Sequence, residues 1–433
     1  MDATTGASAP PDARVTAHHP GGPEVPGPGL DDTAEPTRFA EFALGSVCLF
    51  AYTVPRVPGN LAAGLVAVAA LVFLSTVRRP TRPTVHLRWL PTACFLVLGY
   101  LVAVTVTSPD ESLFGWPKRA MRLALLVLLL LALVNGRAHL PSLVRGAAFG
   151  LVLNAVAFYA GVAPAPYGEL LSGYLLDKNQ AGLAYAVVGL LLLAQATQPR
   201  WQVAVGTATV AFVWLSGSRT SLAALACGLL WFALRPRLEA QGRIALGVAM
   251  ALVIPVIESR YALVGSFSDR RGSDQFRATI DAASQAKLGR APFQGMGLGE
   301  AWVLYPNGDT FFFHNSYWSA LVEGGYPYLA ALMGVTVLMA IGPFRRGPTP
   351  SRLARAGEAA NIVVLVCALR LGEVFGTTIA VIALAAGLIG FAQAARIRDE
   401  AQDAEALRML PTPLATPTGA GPSVSPAADT VTR

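Results

Sequence analysis

The sequence predicts an all-α, polytopic membrane protein with about twelve transmembrane helices, and three observations carry that prediction. First, 54% of its 433 residues are hydrophobic and 14% charged, at a mean hydropathy of +0.50; a soluble domain carries charge on about a quarter of its residues. Second, the apolar residues gather in charge-free runs such as Leu123–Val134 and Ala184–Ala194. Third, arginine recurs in alternate links between those runs.

In chain order, the apolar centres of the first half lie at Phe39–Val54, Asn60–Val77, Trp89–Val106, Ala120–Val134, Gly146–Val162 and Ala181–Ala196. The second half adds Val203–Leu215, Ser221–Leu234, Ile244–Ile257, Tyr326–Ile341, Ala360–Leu371 and Thr377–Ala392. Each span needs roughly 20 residues to cross the hydrocarbon. Residues 1–38 are rich in Pro, Gly, Ala and Asp, without the basic start and apolar core of a signal peptide, and read as a disordered tail. Residues 399–433 form a second such tail, which places the transmembrane domain at 39–398.

Arginine sets the orientation. One set of alternate links holds Arg78, Arg79, Arg82 and Arg88; Arg137 and Arg145; Arg200; Arg235, Arg237 and Arg243; and Arg345, Arg346, Arg352 and Arg355. By the positive-inside rule these links and both tails are cytoplasmic. The net charge of +7 is then a membrane feature, and with no basic stripe on a soluble segment nucleic acid is not an expected partner. The preference for arginine over lysine (Lys118, Lys178 and Lys287 alone) and the abundant alanine point to a GC-rich bacterial genome, hence to a bacterial cell membrane. Cys48, Cys94, Cys227 and Cys367 all lie in apolar runs and read as small packing residues.

One external segment departs from this economy. Residues 258–325, between Ile257 and Tyr326, contain no run able to span, yet carry six basic residues against the positive-inside trend. Within them Phe276, Ile280 and Ala283 share a helical face, and Ser273 could cap a helix lying on the membrane surface.

Of five histidines, only His314 falls on the external side. It opens a long helix expected to bend near Gly324, Gly325 and Pro327, where its imidazole could accept a proton near neutral pH or simply sit beside the belt residues Tyr317 and Trp318. Arg219, in the short turn LSGSRTSL, combines a guanidinium with helix N-terminal amides, a setting suited to phosphate or pyrophosphate; a snorkelling arginine is the plainer alternative. Arg277, Arg270, Arg271 and Arg290 are further anion contacts or solvated charges. Lys178 and Asn179, opening another span, could bind a polar headgroup or merely flank a helix start. Glu323, inside an apolar run, is costly there and marks either function or a structural partnership with an arginine. Arg370 and Glu373 read as a mutual pair. No DxD, HExxH, P-loop or GxGxxG pattern occurs in a usable context, and no metal or cofactor is expected.

Taken together and in order, KNQAG (Lys178–Gly182), SGSRTSL (Ser216–Leu222), the pair Phe276–Arg277, QGMGLG (Gln294–Gly299) and HNSYWSALVEGG (His314–Gly325) resemble the O-antigen ligase and O-antigen polymerase superfamily of bacterial membrane glycosyltransferases. The likeness covers roughly Leu175 to Ile341; Phe311–Phe313 and the preceding PNGD map onto no family motif. The resemblance implies a GT-C-like fold and transfer of a glycan from undecaprenyl pyrophosphate to an acceptor glycan, lipid or protein on the external face. Arg219 and Arg277 would hold the pyrophosphate, with Arg270 and Arg271 competing for the second role. His314 would activate the acceptor hydroxyl, and Lys178, Asn179, Asn315 and Glu323 would line the substrate site. The polyprenol tail would lie against membrane lipids. A polytopic transporter or flippase is the competing class, although no paired repeat is evident and the notable polar residues gather on the external face.

Overall fold

Apolar runs in a membrane protein fold as helices because a helix satisfies its own backbone N–H and C=O groups without water. The computed structural model describes residues 36–53, 61–108, 115–261, 271–305, 308–345 and 350–409, with backbone alone at 253–261, 271–276 and 407–409. Through these residues run thirteen α-helices. The first seven are α1 (Phe39–Gly45), α2 (Ala63–Thr76), α3 (Leu90–Thr107), α4 (Trp116–Val134), α5 (Leu140–Tyr159), α6 (Lys178–Gln195) and α7 (Pro199–Leu215). They are followed by α8 (Arg219–Leu234), α9 (Ala240–Tyr261), α10 (Arg271–Leu288), α11 (Ser316–Met333), α12 (Arg352–Ala368) and α13 (Thr378–Met409). Among the described residues, four helical stretches are long and apolar enough to cross a membrane: Val85–Thr107, Leu140–Tyr159, Ser316–Ile341 and Thr378–Ala406. The chain is an all-α, multi-pass helical membrane protein.

Local chemistry sets the helix starts. Proline stands in the first turn of α3, α4, α5 and α7, where its missing N–H costs nothing. Asp177, Ser218, Asn315 and Ser351 cap α6, α8, α11 and α12 with their side chains.

Several boundaries differ from the sequence reading. α11 begins at Ser316, two residues after the expected helix start at His314 and well before the apolar centre at Tyr326, because its first turns carry Ser316, Tyr317, Ser319 and Glu323. It breaks at Gly325 (φ 64°, ψ −166°), a conformation only glycine adopts without strain, and continues as a π-helix over Gly334–Ile341. The expected bend is there. α13 runs on to Met409, past the expected tail start at 399. Ser273 lies inside α10, not at its cap. A short antiparallel hairpin, β1 (Trp302–Leu304) with β2 (Thr310–Phe312), pairs Val303 with Phe311; of the unassigned PNGD, Gly308 and Asp309 lie between the strands, and Pro306 and Asn307 lie outside the described residues.

α12 occupies the middle of the bundle, packed by α6, α8 and α13, with twelve of its fourteen buried positions small or aliphatic and the other two Glu358 and Asn361. The Asn361 side-chain amide donates to Gly357 and Ala383 carbonyls, both at 2.7 Å, tying α12 to α13. At the bundle's edge α1 lies parallel to α5: a Cβ on Gly146 would come 2.0 Å from the Phe42 carbonyl, and one on Gly150 1.9 Å from that of Ser46. Two glycines four residues apart thus let backbones touch, the small-xxx-small contact common in membranes.

The arginine-bearing links meet at one end. Arg82 reaches the Leu133 carbonyl at 2.9 Å, Arg145 reaches Gln195 at 2.9 Å, Arg352 reaches the Ala196 carbonyl at 3.0 Å, and Arg243 reaches the Arg345 carbonyl at 2.8 Å. The Arg82 and Arg352 bonds satisfy the C-terminal carbonyls of α4 and α6 with cations, the favourable sign for a helix dipole.

Candidate functional site

The opposite end gathers the N-termini of α6, α8 and α11 around the α12–α13 turn. Asp177 Oδ1 accepts the backbone N–H groups of Asn179 and Gln180, both at 2.8 Å, and fixes the first turn of α6. Ser221, in the first turn of α8, donates to the Asn179 carbonyl at 3.3 Å, so Lys178–Asn179 and Arg219 start neighbouring helices. Gln180 then donates to the Glu373 carbonyl at 3.2 Å, linking α6 to the α12–α13 turn. From the other side Ser316 accepts from the Val374 N–H at 3.0 Å and Ser319 donates to the Gly372 carbonyl at 2.8 Å. Gly372 allows this approach: a Cβ there would stand 1.7 Å from the Phe313 carbonyl, immediately before His314.

His314 lies half-buried in the link between β2 and α11. α10 runs alongside, with Ile280 fully buried in a small cluster containing Phe313 and Val322. α10 is held there by Asp281, 3.6 Å from Arg370, and by Lys287, 3.1 Å from Glu300. Where the sequence suggests an Arg370–Glu373 pair, Arg370 thus reaches α10, and Glu373 is held at 2.9 Å by Arg119 and at 3.4 Å by Arg122.

Burial pushes the His314 imidazole below its ordinary value of 6.5; Arg277 adds to the lowering, and Asp281 and Asp177 oppose it. All three groups therefore lie within electrostatic reach of the ring. The same field connects Tyr167, whose hydroxyl donates to Asp177 Oδ2 at 2.9 Å. Burial and the Asp177 carboxylate push that hydroxyl up to about 12, with Arg277 acting the other way. Lys178 is 8% exposed and places Nζ 5.5 Å from the Tyr167 ring centroid.

These observations bring Lys178, Asn179, Arg219, Arg277, His314 and Asn315 to one end of the bundle. Their standing differs. Arg277 is exposed on α10, and Arg219 is the first residue of α8. The Asn315 side-chain carbonyl is committed to the Tyr317 and Trp318 N–H groups, at 2.9 and 3.2 Å, as the cap of α11. Arg271 opens α10 with its backbone alone described, and Arg270 lies outside the described residues. Glu323, 3% exposed, takes the structural partnership: Oε2 pairs with Arg119 at 2.8 Å, and Oε1 accepts the Gly299 N–H at 3.1 Å. A small, half-open cleft lies beside this pair, lined by Arg119, Ser316, Ser319, Glu323, Gly372 and Glu373 among others.

Sequence reasoning misses Asp177, Tyr167, Asp281, Arg119 and Glu373's real partners. Two of these carry a local signal: Asp177 directly precedes a helix start, and Asp281 follows Arg277 by one helical turn. Arg119 carries none, since its partners stand at positions 323 and 373.

Chemically, this end offers cations from three elements, the amide ends of three helices and one imidazole kept neutral near pH 7. A reaction that needs that neutral ring keeps its rate through neutral pH and loses it only in acid, on a limb lying below 6.5. Removing Arg277 as Arg277→Gln takes away a lowering influence, so the limb should move towards higher pH; a pH–rate profile of both proteins checks the direction. Among the described residues no group of three His, Cys, Asp or Glu stands close enough to hold a metal ion. Neither a protein-family model nor a curated protein matches the chain.

Proposed function

We propose that this protein is a membrane glycosyltransferase that moves a glycan from undecaprenyl pyrophosphate to an acceptor hydroxyl, without a metal ion, at the external face of a bacterial cell membrane. The observation that carries the reading is the gathering of Lys178, Arg219, Arg277 and His314 at the end of the bundle remote from the arginine-bearing links. On this reading the twelve apolar segments all span, the arginine end and both termini are cytoplasmic, and the His314 end is external.

The acceptor hydroxyl attacks the anomeric carbon, the bond from that carbon to the pyrophosphate oxygen breaks, and undecaprenyl pyrophosphate leaves with the electron pair. His314 takes the hydroxyl proton. Arg219 and Arg277 hold the pyrophosphate and stabilise the charge that grows on it, a task for planar, bidentate donors. A leaving group this good, met by two guanidiniums and helix N-termini, gives a physical reason why no metal is required. Glu323 and Arg119 act at one remove, holding α11, which begins two residues after His314, against α4.

Arg219→Lys keeps the charge and removes the fork, and is expected to lower transfer about a hundredfold, the scale seen when a single oxyanion donor is lost. Near-normal turnover in that variant would make Arg219 a snorkelling residue. The broader test is the profile of undecaprenyl-linked glycans in a deletion strain. Accumulated long polymer indicates a ligase and accumulated single repeat units a polymerase. Disappearance of external lipid-linked glycan would replace transfer with transport.

A further inference from the structure

At the end of the bundle opposite the candidate site, several arginines crowd one carboxylate. Glu358, fully buried in α12, accepts from Arg235 Nε at 2.8 Å and from the Trp231 indole N–H at 3.0 Å, and its other oxygen faces Arg345 Nη1 at 3.6 Å. Arg243 joins them by donating to the Arg345 carbonyl at 2.8 Å. Arg355, one turn before Glu358, lies 5.0 Å from the Phe232 ring centroid. Arg235 and Arg243 are only 6% and 5% exposed.

The charges do not balance. Burial pushes the Arg345 guanidinium down; Glu358 opposes this, while Arg235, Arg243 and Arg398 push the same way. The Nε–H groups of Arg243, Arg345 and Arg355 are buried and, among the described residues, have no hydrogen-bond partner. Leaving a buried donor unpaired costs free energy, and leaving a buried cation uncompensated costs more. The positive-inside rule explains why arginine stands near this interface, but it gives no reason to bury unpaired N–H groups there.

We propose that this cluster, formed by Arg235, Arg243, Arg345 and Arg355 around Glu358, binds a phosphate group, carried by an anionic phospholipid headgroup or as free inorganic phosphate. Phosphate supplies the acceptor oxygens and negative charge that the cluster lacks, and guanidinium forks match its geometry. Basic pockets between membrane helices on the cytoplasmic side take phospholipid headgroups in the same way. The inference concerns the end of the bundle remote from His314 and stands independently of the proposed transfer.

The test uses the full-length protein in phosphatidylcholine nanodiscs, followed by thermal unfolding and by native mass spectrometry of retained lipid. One arm adds phosphatidylglycerol to the bilayer; the other adds inorganic phosphate against chloride at matched ionic strength. A rise in Tm with phosphatidylglycerol, and retention of that lipid, identifies the headgroup. A rise with phosphate in pure phosphatidylcholine identifies the free ion. Arg243→Gln combined with Arg345→Gln should weaken the response about fivefold for each arginine removed. Arg355→Gln, which leaves the Arg235–Glu358 bond in place, repeats the test if the double variant does not fold. Absence of any rise in both arms, or an undiminished response in Arg355→Gln, would overturn the proposal.

Discussion

His314→Ala is expected to lower glycan transfer by about a hundred- to ten-thousand-fold while leaving the protein folded and inserted. The large kinetic effect follows from removing a neutral base within electrostatic reach of Arg277 and Asp281. The small structural effect follows from what holds this link in place. Its neighbours are fixed by backbone and cap contacts that survive the change: the Asn315 cap, the Ser316 bond to Val374, and the close approach of Phe313 to Gly372. The variant should therefore elute as wild type in detergent, with an unchanged Tm, and lose turnover. Two outcomes count against this role. Full activity removes His314 from the chemistry, and a collapse in Tm makes it a packing residue.

Glu323→Ala should show the opposite pattern, a loss of stability first. Its carboxylate is buried, accepts the Gly299 N–H and pairs with Arg119 through two bonds at 2.8 and 3.1 Å. Deleting one partner of a buried pair leaves the other uncompensated, and the cost is about 3 kcal/mol here, the low end of the usual range, because Glu373 still holds Arg119. The same deletion in an Arg119→Ala background should cost clearly less, since the stranded charge is then gone. Activity should fall along with stability, because α11 begins two residues after His314 and α4 steadies it. If Glu323→Ala were as stable as wild type yet inactive, Glu323 would belong with the groups that contact substrate.

Much of this was legible in the sequence, and the physical reasons are local ones. Charge-free runs give helices, whereas the caps Asp177, Ser218 and Asn315 went unread although capping rules need no tertiary knowledge. The bend in α11 is written in Gly324, Gly325 and Pro327. The run of α13 to Met409 was hidden because polar residues inside a helix look like a loop to a hydropathy window. The hairpin at Trp302–Phe312 is too short for periodicity to reveal. At the candidate site, His314, Arg219 and Lys178 stood out because ionisable residues at helix starts are conspicuous in an apolar chain. Their neighbours were another matter. Arg119 meets Glu323 and Glu373, and Asp281 meets Arg370, across separations that only packing closes.

The most direct test of transfer is a reaction between the purified protein in nanodiscs and an undecaprenyl-pyrophosphate-linked glycan, with a hydroxyl acceptor and with chelator present. The account predicts release of undecaprenyl pyrophosphate together with an elongated or newly glycosylated acceptor, and neither product with His314→Ala. Glycan that crosses the bilayer with its bond to undecaprenyl pyrophosphate intact, and no such release under any acceptor, would contradict it and leave a transporter.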